Sequence, residues 1–329
     1  MMFVGLRRFG WTAALTGAVL GVAFWGGTAN AQDFLLVVDS GNDRVLTVNP
    51  VDGSVLNPNF IVDSTFLTPI HAINSGRGTI LVSDQLLDSV REYDLNGNFI
   101  RTVTDNATSG IDNIRGIAVR GNDLFVTVGG GTFTGTVQRI DLTTGARIGT
   151  FADVGGSPWF VLFRENDALI SNSSDDNISR VDALTGAILG VFHDSDGASG
   201  IDFPQQLHER SNGNILAGGF SLPTGVYEYN GITGAQVGVF AEGLGQRGVW
   251  ELENGNYLFT AGTRLSVVNP GTNTITDILN DTTKTPLDSF RYISRFTVVA
   301  APEPGTFALM ALGLIGGGIV VRRRSPRNR

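Results

Sequence analysis

Hydrophobic and polar residues alternate along most of the chain, and tight turns interrupt the alternation at a regular interval. Val45-Leu-Thr-Val48 runs into Asn49-Pro-Val-Asp-Gly53, after which Ser54-Val-Leu56 resumes the pattern. The device returns at Asp94-Leu-Asn-Gly97, Asp141-Leu-Thr-Thr-Gly145, Asp182-Ala-Leu-Thr-Gly186, Asn230-Gly-Ile-Thr-Gly234 and Asn269-Pro-Gly-Thr-Asn273. The first residues of successive turns are 45, 47, 41, 48 and 39 positions apart. A period of two between such turns predicts strands. The opening Asp or Asn can accept from the backbone two residues on. The closing Gly tolerates positive φ, and Asn273 is the next most tolerant residue there.

Each repeat also carries a strand pair upstream of its turn. Ile114–Val119 turns at Arg120-Gly-Asn-Asp123 into Leu124–Val128, and Val249–Leu252 turns at Glu253-Asn-Gly-Asn256 into Tyr257–Thr260. Four antiparallel strands repeated roughly every 40–48 residues make a propeller blade, and six turns make six blades. The first repeat begins at Asp33–Asp39, already the second strand of the pattern, and Phe290–Val299 is a strand without a blade. The expected fold is therefore all-β: a six-bladed propeller over residues 32–300, closed by a C-terminal strand that completes the first blade. Closure also removes exposed sheet edges.

The two ends read differently from this body. Arg7 and Arg8 precede a mostly apolar stretch from Trp11 to Trp25, and Ala29-Asn30-Ala31 offers small residues for cleavage. Residues 1–31 thus form an expected signal peptide, with the mature chain starting near Gln32. At the other end Pro302-Glu303-Pro304 leads into an apolar helix from Phe307 to Val321, and Arg322, Arg323, Arg324, Arg327 and Arg329 follow. At 1.5 Å per residue that helix spans about 22 Å, short of a hydrocarbon core of about 30 Å. The arginines stand where positive charge is retained in the cytoplasm.

In its three parts and their order, the segment 301–329 resembles the PEP-CTERM sorting tail of exported Gram-negative proteins. The resemblance implies recognition of Pro302, Glu303 and Pro304 by an exosortase-like transpeptidase. It also implies transient anchoring of the C-terminal helix in the inner membrane, and delivery to the cell surface or extracellular matrix.

Composition narrows the partners. The body holds 16 basic and 30 acidic residues, a net charge near −14 against −8 for the whole chain. Such a surface repels nucleic acid. The chain has no cysteine, which excludes disulfides and thiolate chemistry. No resident cofactor is expected.

Leu36-Val-Val-Asp39-Ser-Gly41-Asn42-Asp-Arg44-Val resembles an NHL-type repeat signature, with weaker copies at Leu81–Arg91 and Leu169–Arg180. This points to an NHL-like propeller. The loops entering the innermost strands of such a ring crowd its central channel, and they place His71, Arg115, Trp159, Gln205, Arg247 and Arg291 there. Guanidinium forks suit a carboxylate or sulfate and Trp159 a sugar face, so these residues form a candidate site for an acidic glycan or anion. The bland alternative is that Asp112 and Asp288, each three residues before an arginine, pair with Arg115 and Arg291 to hold the loops shut. A third reading follows from six-bladed propellers that resemble gluconolactonase and related esterases: Asp112, Asp202 and Asp288, with Asn113, would hold a divalent cation for hydrolysis. The expectation is a non-catalytic binding or scaffold module for a polysaccharide or protein ligand, with a metal-dependent hydrolase as the alternative.

Overall fold

The computed structural model describes residues 33–195, 198–283 and 289–297. The leader with Ala29 and Ala31, the tail with Pro302, Glu303 and Pro304, and Asp288 lie outside them. Among the described residues no helix is long and apolar enough to cross a membrane.

The described residues form six four-stranded antiparallel sheets. The first contains β1 (Asp33–Asp39), β2 (Arg44–Val48) and β3 (Val55–Val62). The second runs through β4 (Pro69–Asn74), β5 (Ile80–Asp84), β6 (Ser89–Tyr93) and β7 (Phe99–Asp105). The third holds β8 (Ile114–Arg120), β9 (Asp123–Val128), β10 (Thr136–Asp141) and β11 (Arg147–Asp153). The fourth holds β12 (Pro158–Phe163), β13 (Asp167–Asn172), β14 (Asn177–Asp182) and β15 (Ile188–Asp194). In the fifth are β16 (Asp202–Glu209), β17 (Ile215–Ser221), β18 (Gly225–Tyr229) and β19 (Gln236–Phe240). The sixth comprises β20 (Gln246–Glu251), β21 (Tyr257–Ala261), β22 (Arg264–Asn269) and β23 (Thr274–Asn280). The final strand, β24 (Phe290–Thr297), pairs antiparallel with β1 and takes the innermost place of the first blade. The ring closes as the sequence pattern requires.

Burial follows position within each blade. Second strands such as β5 and β21 are buried along their whole length, because adjacent blades cover both faces. Outermost strands such as β11 and β15 are largely exposed. The core is accordingly divided into layers between neighbouring blades. Leu36, Val38, Ile61, Ala72, Val82 and Phe296 fill one, and Leu216, Val226, Val249, Tyr257 and Phe259 another.

The Asp/Gly turns behave as their composition predicts. Asp141 Oδ1 accepts from the Thr143 and Thr144 amides at 2.9 and 2.7 Å, and Gly145 N–H donates to Asp141 O at 2.8 Å. Asp182 and Asn230 repeat both bonds. Asn273 takes the same backbone bend at φ +54°, and its side chain also accepts from Ala241 N–H of the preceding blade at 2.9 Å.

Two aspartates of the repeated Asp39 and Asp84 segments hold their surroundings by hydrogen bonds. Asp39 Oδ2 accepts from Asn42 Nδ2 at 2.9 Å and from Arg44 Nε at 2.8 Å, closing their hairpin. Buried Asp84 accepts from the Leu67 and Thr68 amides at 2.8 and 2.9 Å, fixing the approach to β4.

Candidate functional site

All six innermost strands share an irregularity that brings channel chemistry into being. The pairing of each with its blade's second strand slips by one residue near the start of the inner strand. The slip falls at Pro69–His71, Ile114–Ile117, Pro158–Phe160, Pro204–Leu207, Gln246–Val249 and Phe290–Ile293. The extra residue is always on the inner strand. A bulge of this kind leaves a backbone group unpaired and re-aims a side chain. Hydroxyls of the preceding blade compensate: Ser83 Oγ donates to Arg115 O at 2.6 Å, Thr127 Oγ1 to Trp159 O at 3.2 Å and Thr260 Oγ1 to Arg291 O at 2.7 Å.

The candidate residues thus begin the inner strands rather than the loops before them, and they are buried. Arg115, Arg247 and Arg291 expose 6, 5 and 8 % of their surface, and Gln205 none. They gather around Tyr292, whose hydroxyl donates to Gln205 Oε1 at 3.1 Å and feels the positive charge of all three guanidinium groups. Burial drives the hydroxyl's pKa up while the three cations pull it down. Below this layer Tyr292 meets Phe160 from the opposite blade edge-on at 5.3 Å, and His71 lies 5.6 and 5.1 Å from the two rings. These three aromatic side chains fill the waist of the channel.

Arg115 and Arg247 are held by neutral groups. Arg115 donates from Nη1 to Ser157 Oγ at 2.6 Å and Pro158 O at 3.0 Å, and its guanidinium lies 3.9 Å over the Trp159 ring. Arg247 stacks 3.9 Å over Phe220. Burial lowers the Arg115 pKa to about 10; burial and the neighbouring Arg291 lower that of Arg247 to about 9. Among the described residues neither Arg115 nor Arg247 has a carboxylate partner, and the Nε of each is unbonded. Arg291 donates from Nε to Ser40 Oγ at 3.0 Å.

Two expectations need correction. Asp112 does not pair with Arg115; the arginine turns into the channel, where Ser157, Pro158 and Trp159 take it up, while Asp112 packs against the Gly130-Gly131 backbone. Gly129 lies directly behind the guanidinium, where a Cβ would overlap it, so the triple-glycine loop is a cradle for Arg115. Nor does Trp159 offer an open face for a sugar. It is 7 % exposed, Arg115 covers one face, and its Nε1 donates to Ser173 Oγ at 2.8 Å.

As for the cation reading, no three His, Asp or Glu side chains gather into a metal-holding group among the described residues. Asp202 stands beside Asp176, and burial together with that neighbour raises its pKa above the ordinary carboxylate range. Asn113 adopts φ +51°; its backbone N–H donates to Asp88 Oδ1 at 2.6 Å and its side-chain Oδ1 accepts from Gln85 Nε2 at 2.5 Å.

Tyr292 and Phe160 escaped the sequence reading, because strict alternation allots each inner strand a single residue at the channel level and gives no sign of the bulge. A cavity of about 570 Å³ on the far side of the waist was also unforeseen. Its walls include Phe160, Phe163, His208, Trp250 and Arg295, with the His208 ring tilted 33° to that of Trp250 at 3.9 Å.

His71 makes a pH prediction. Its Nδ1 accepts from the Ile117 amide at 3.3 Å, and burial lowers its pKa from the ordinary 6.5 to about 3. The unfolded chain takes up this proton near 6.5 and the folded chain only near 3, so acidification across that window favours unfolding. The contribution approaches about 1.4 kcal/mol per pH unit. Urea unfolding between pH 7 and 4 should show a shallower loss of stability for His71→Gln than for the parent. Parallel curves would refute the assignment.

The comparisons with known proteins bear on the fold and on the C-terminal segment. The fold is that of a six-bladed β-propeller. A chain in the crystal structure of a nidogen/laminin complex superposes on it with a TM-score of 0.66 at 12 % identity, covering 80 % of this chain and 98 % of that one. That likeness concerns the fold alone. The family description of the PEP-CTERM protein-sorting motif matches residues 300–324, so the chain carries that motif and is an exported protein sorted to the cell surface. No curated protein matches the chain.

Proposed function

We propose that this chain is a non-catalytic binding propeller displayed on the cell surface or in the extracellular matrix, taking an acidic ligand at the arginine-lined end of its channel. The ligand class is the carboxylate- or sulfate-bearing residue of a polysaccharide. In this reading residues 1–31 direct export, an exosortase-like transpeptidase acts at Pro302-Glu303-Pro304, and the segment after it anchors the chain transiently in the inner membrane. The body, residues 32–300, is NHL-like in its Asp39–Arg44 hairpin.

One observation carries the binding proposal: Arg115 and Arg247 are buried as cations without a carboxylate partner among the described residues. An uncompensated buried charge costs several kcal/mol. A bound anion offsets that cost.

The test is thermal unfolding in increasing sulfate or glucuronate, at fixed ionic strength. A ligand at 100 times its Kd stabilises by about 2.7 kcal/mol, a rise of several degrees in Tm for a domain of this size. Arg247→Met should be no less stable than the parent without the anion and should lose most of the rise. A rise of equal size in Arg247→Met and Arg115→Met would place the anion elsewhere and defeat the proposal.

A further inference from the structure

Four hydrogen-bond donors in the channel have no acceptor among the described residues: Arg115 Nε, Arg247 Nε, Gln205 Nε2 and His71 Nε2. The tautomer of His71 follows from its partner. Because Nδ1 accepts from the Ile117 amide, the neutral ring carries its proton on Nε2. The four come from four different inner strands, β8, β20, β16 and β4, and all converge on one residue. Gln205 accepts from the Tyr292 hydroxyl, the His71 ring lies 5.6 Å from the Tyr292 ring, and Arg115 and Arg247 both act on that hydroxyl by charge. Two guanidinium N–H groups, an amide and an imidazole N–H under net positive charge complement a group with several lone pairs, a negative charge and no proton to donate. That group is an oxyanion.

Burial decides how the oxyanion arrives. The three arginines expose only 5–8 % of their surface and Gln205 none. A polymer lying across the mouth touches the rim and leaves these donors unmet. A carboxylate or sulfate at a chain end leaves the polymer axis and can descend to them. The unbonded donor atoms are themselves buried, and the 5–8 % exposure of the arginines lies on their other atoms, so only a small terminal group can be drawn in, with the packed Tyr292, Phe160 and His71 rings behind it.

We propose that the channel binds its ligand end-on, burying one terminal carboxylate or sulfate against Arg115, Arg247 and Gln205, and so reads chain ends rather than chain interiors. This deepens the binding reading above and rests on it.

Three oligosaccharides of equal length test it on the intact protein by titration calorimetry. One ends in glucuronate at its non-reducing end, one has that carboxyl reduced to the alcohol, and one carries glucuronate internally behind a neutral terminal sugar. The first should bind, and the other two should bind at least tenfold more weakly. Gln205→Leu and Arg247→Met should each weaken the first by a similar factor, with melting curves reporting that each variant is folded. Equal, Arg247-dependent binding of the first and third compounds would overturn the end-on geometry and leave the acidic-ligand reading standing. Absence of binding by all three, together with no effect of free sulfate on Tm, would remove both. Sulfate protection that depends on Gln205 and Arg247, without saccharide binding, would support the buried oxyanion and reject a glycan as its source.

Discussion

A chain ending at Ser289 is expected to have no cooperative unfolding transition and to expose apolar surface, although it retains five complete blades and three strands of the first. The reason lies in what β24 covers. Phe290, Tyr292, Ile293 and Phe296 are each exposed by 2 % or less, and burial of such a side chain contributes about 1.5–3 kcal/mol. Together they approach the whole stability of an ordinary domain, about 5–15 kcal/mol. Loss of the strand also opens β1 as a sheet edge and removes Tyr292 from the channel waist. Gln206 would lose Ile293, whose N–H donates to its Oε1 at 2.9 Å, and would keep the Val249 N–H at 3.2 Å, so β16 stays tied to β20 but not to β24.

A permuted chain separates this effect from a simple loss of length. Thr297 pairs with Asp33 across the sheet, so a short hairpin can join them directly. Moving residues 289–297 in front of Asp33 through an Asn-Gly turn should restore the transition. Circular dichroism and urea unfolding read both outcomes. A truncated chain that melts cooperatively at the parent temperature would show that the ring does not depend on its closing strand.

Gly145→Ala is expected to destabilise the fold by about 2–4 kcal/mol, a large effect for one methyl group on an exposed turn. Two costs combine. Gly145 sits at φ +73°, where an L-residue costs about 1–2 kcal/mol, and the added Cβ would overlap the Val103 carbonyl oxygen on the outermost strand of the preceding blade. That strand must move or the turn must lift, and either breaks the seam between blades. Gly149, four residues on in β11, supplies the control: nothing lies within 4 Å of its Cβ position, so Gly149→Ala should change stability by less than about 0.5 kcal/mol. Equal urea midpoints for the two variants would show that the turns do not clamp neighbouring blades. Gly97, Gly186 and Gly234 present the same conflict with Phe60, Phe151 and Phe192 carbonyls, so each should respond as Gly145 does.

Blade number, the strand sequence within a blade and the closing role of residues 290–297 were all legible in the sequence. Local physics writes them in short code: a period of two for each strand, an Asx-type turn with Gly at its end, and one strand missing at the start and spare at the finish. The candidate site was legible only as a set of residue types. Arg115, Gln205, Arg247 and Arg291 do gather around Tyr292, but the groups they meet are far off in sequence: Ser157 is 42 positions from Arg115, Tyr292 is 87 from Gln205, and even Phe220 is 27 from Arg247 and in the preceding blade. Ser157 and Trp159 intercept Arg115 before Asp112 can, because the bulge in β8 turns the side chain toward the following blade. Register slips leave no mark on composition, so Tyr292 could not be placed among the arginines beforehand. The sorting motif, by contrast, is linear, and its residues needed no fold to be read.

The hydroxyl bonds from Ser83, Thr127 and Thr260 grip main-chain oxygens and not side chains. Arg115, Trp159 and Arg291 occupy equivalent positions on one repeated backbone fitting. The main-chain socket is thus common stock, while what receives each side chain, Gly129 behind Arg115 and Ser173 beside Trp159, is tailored sector by sector.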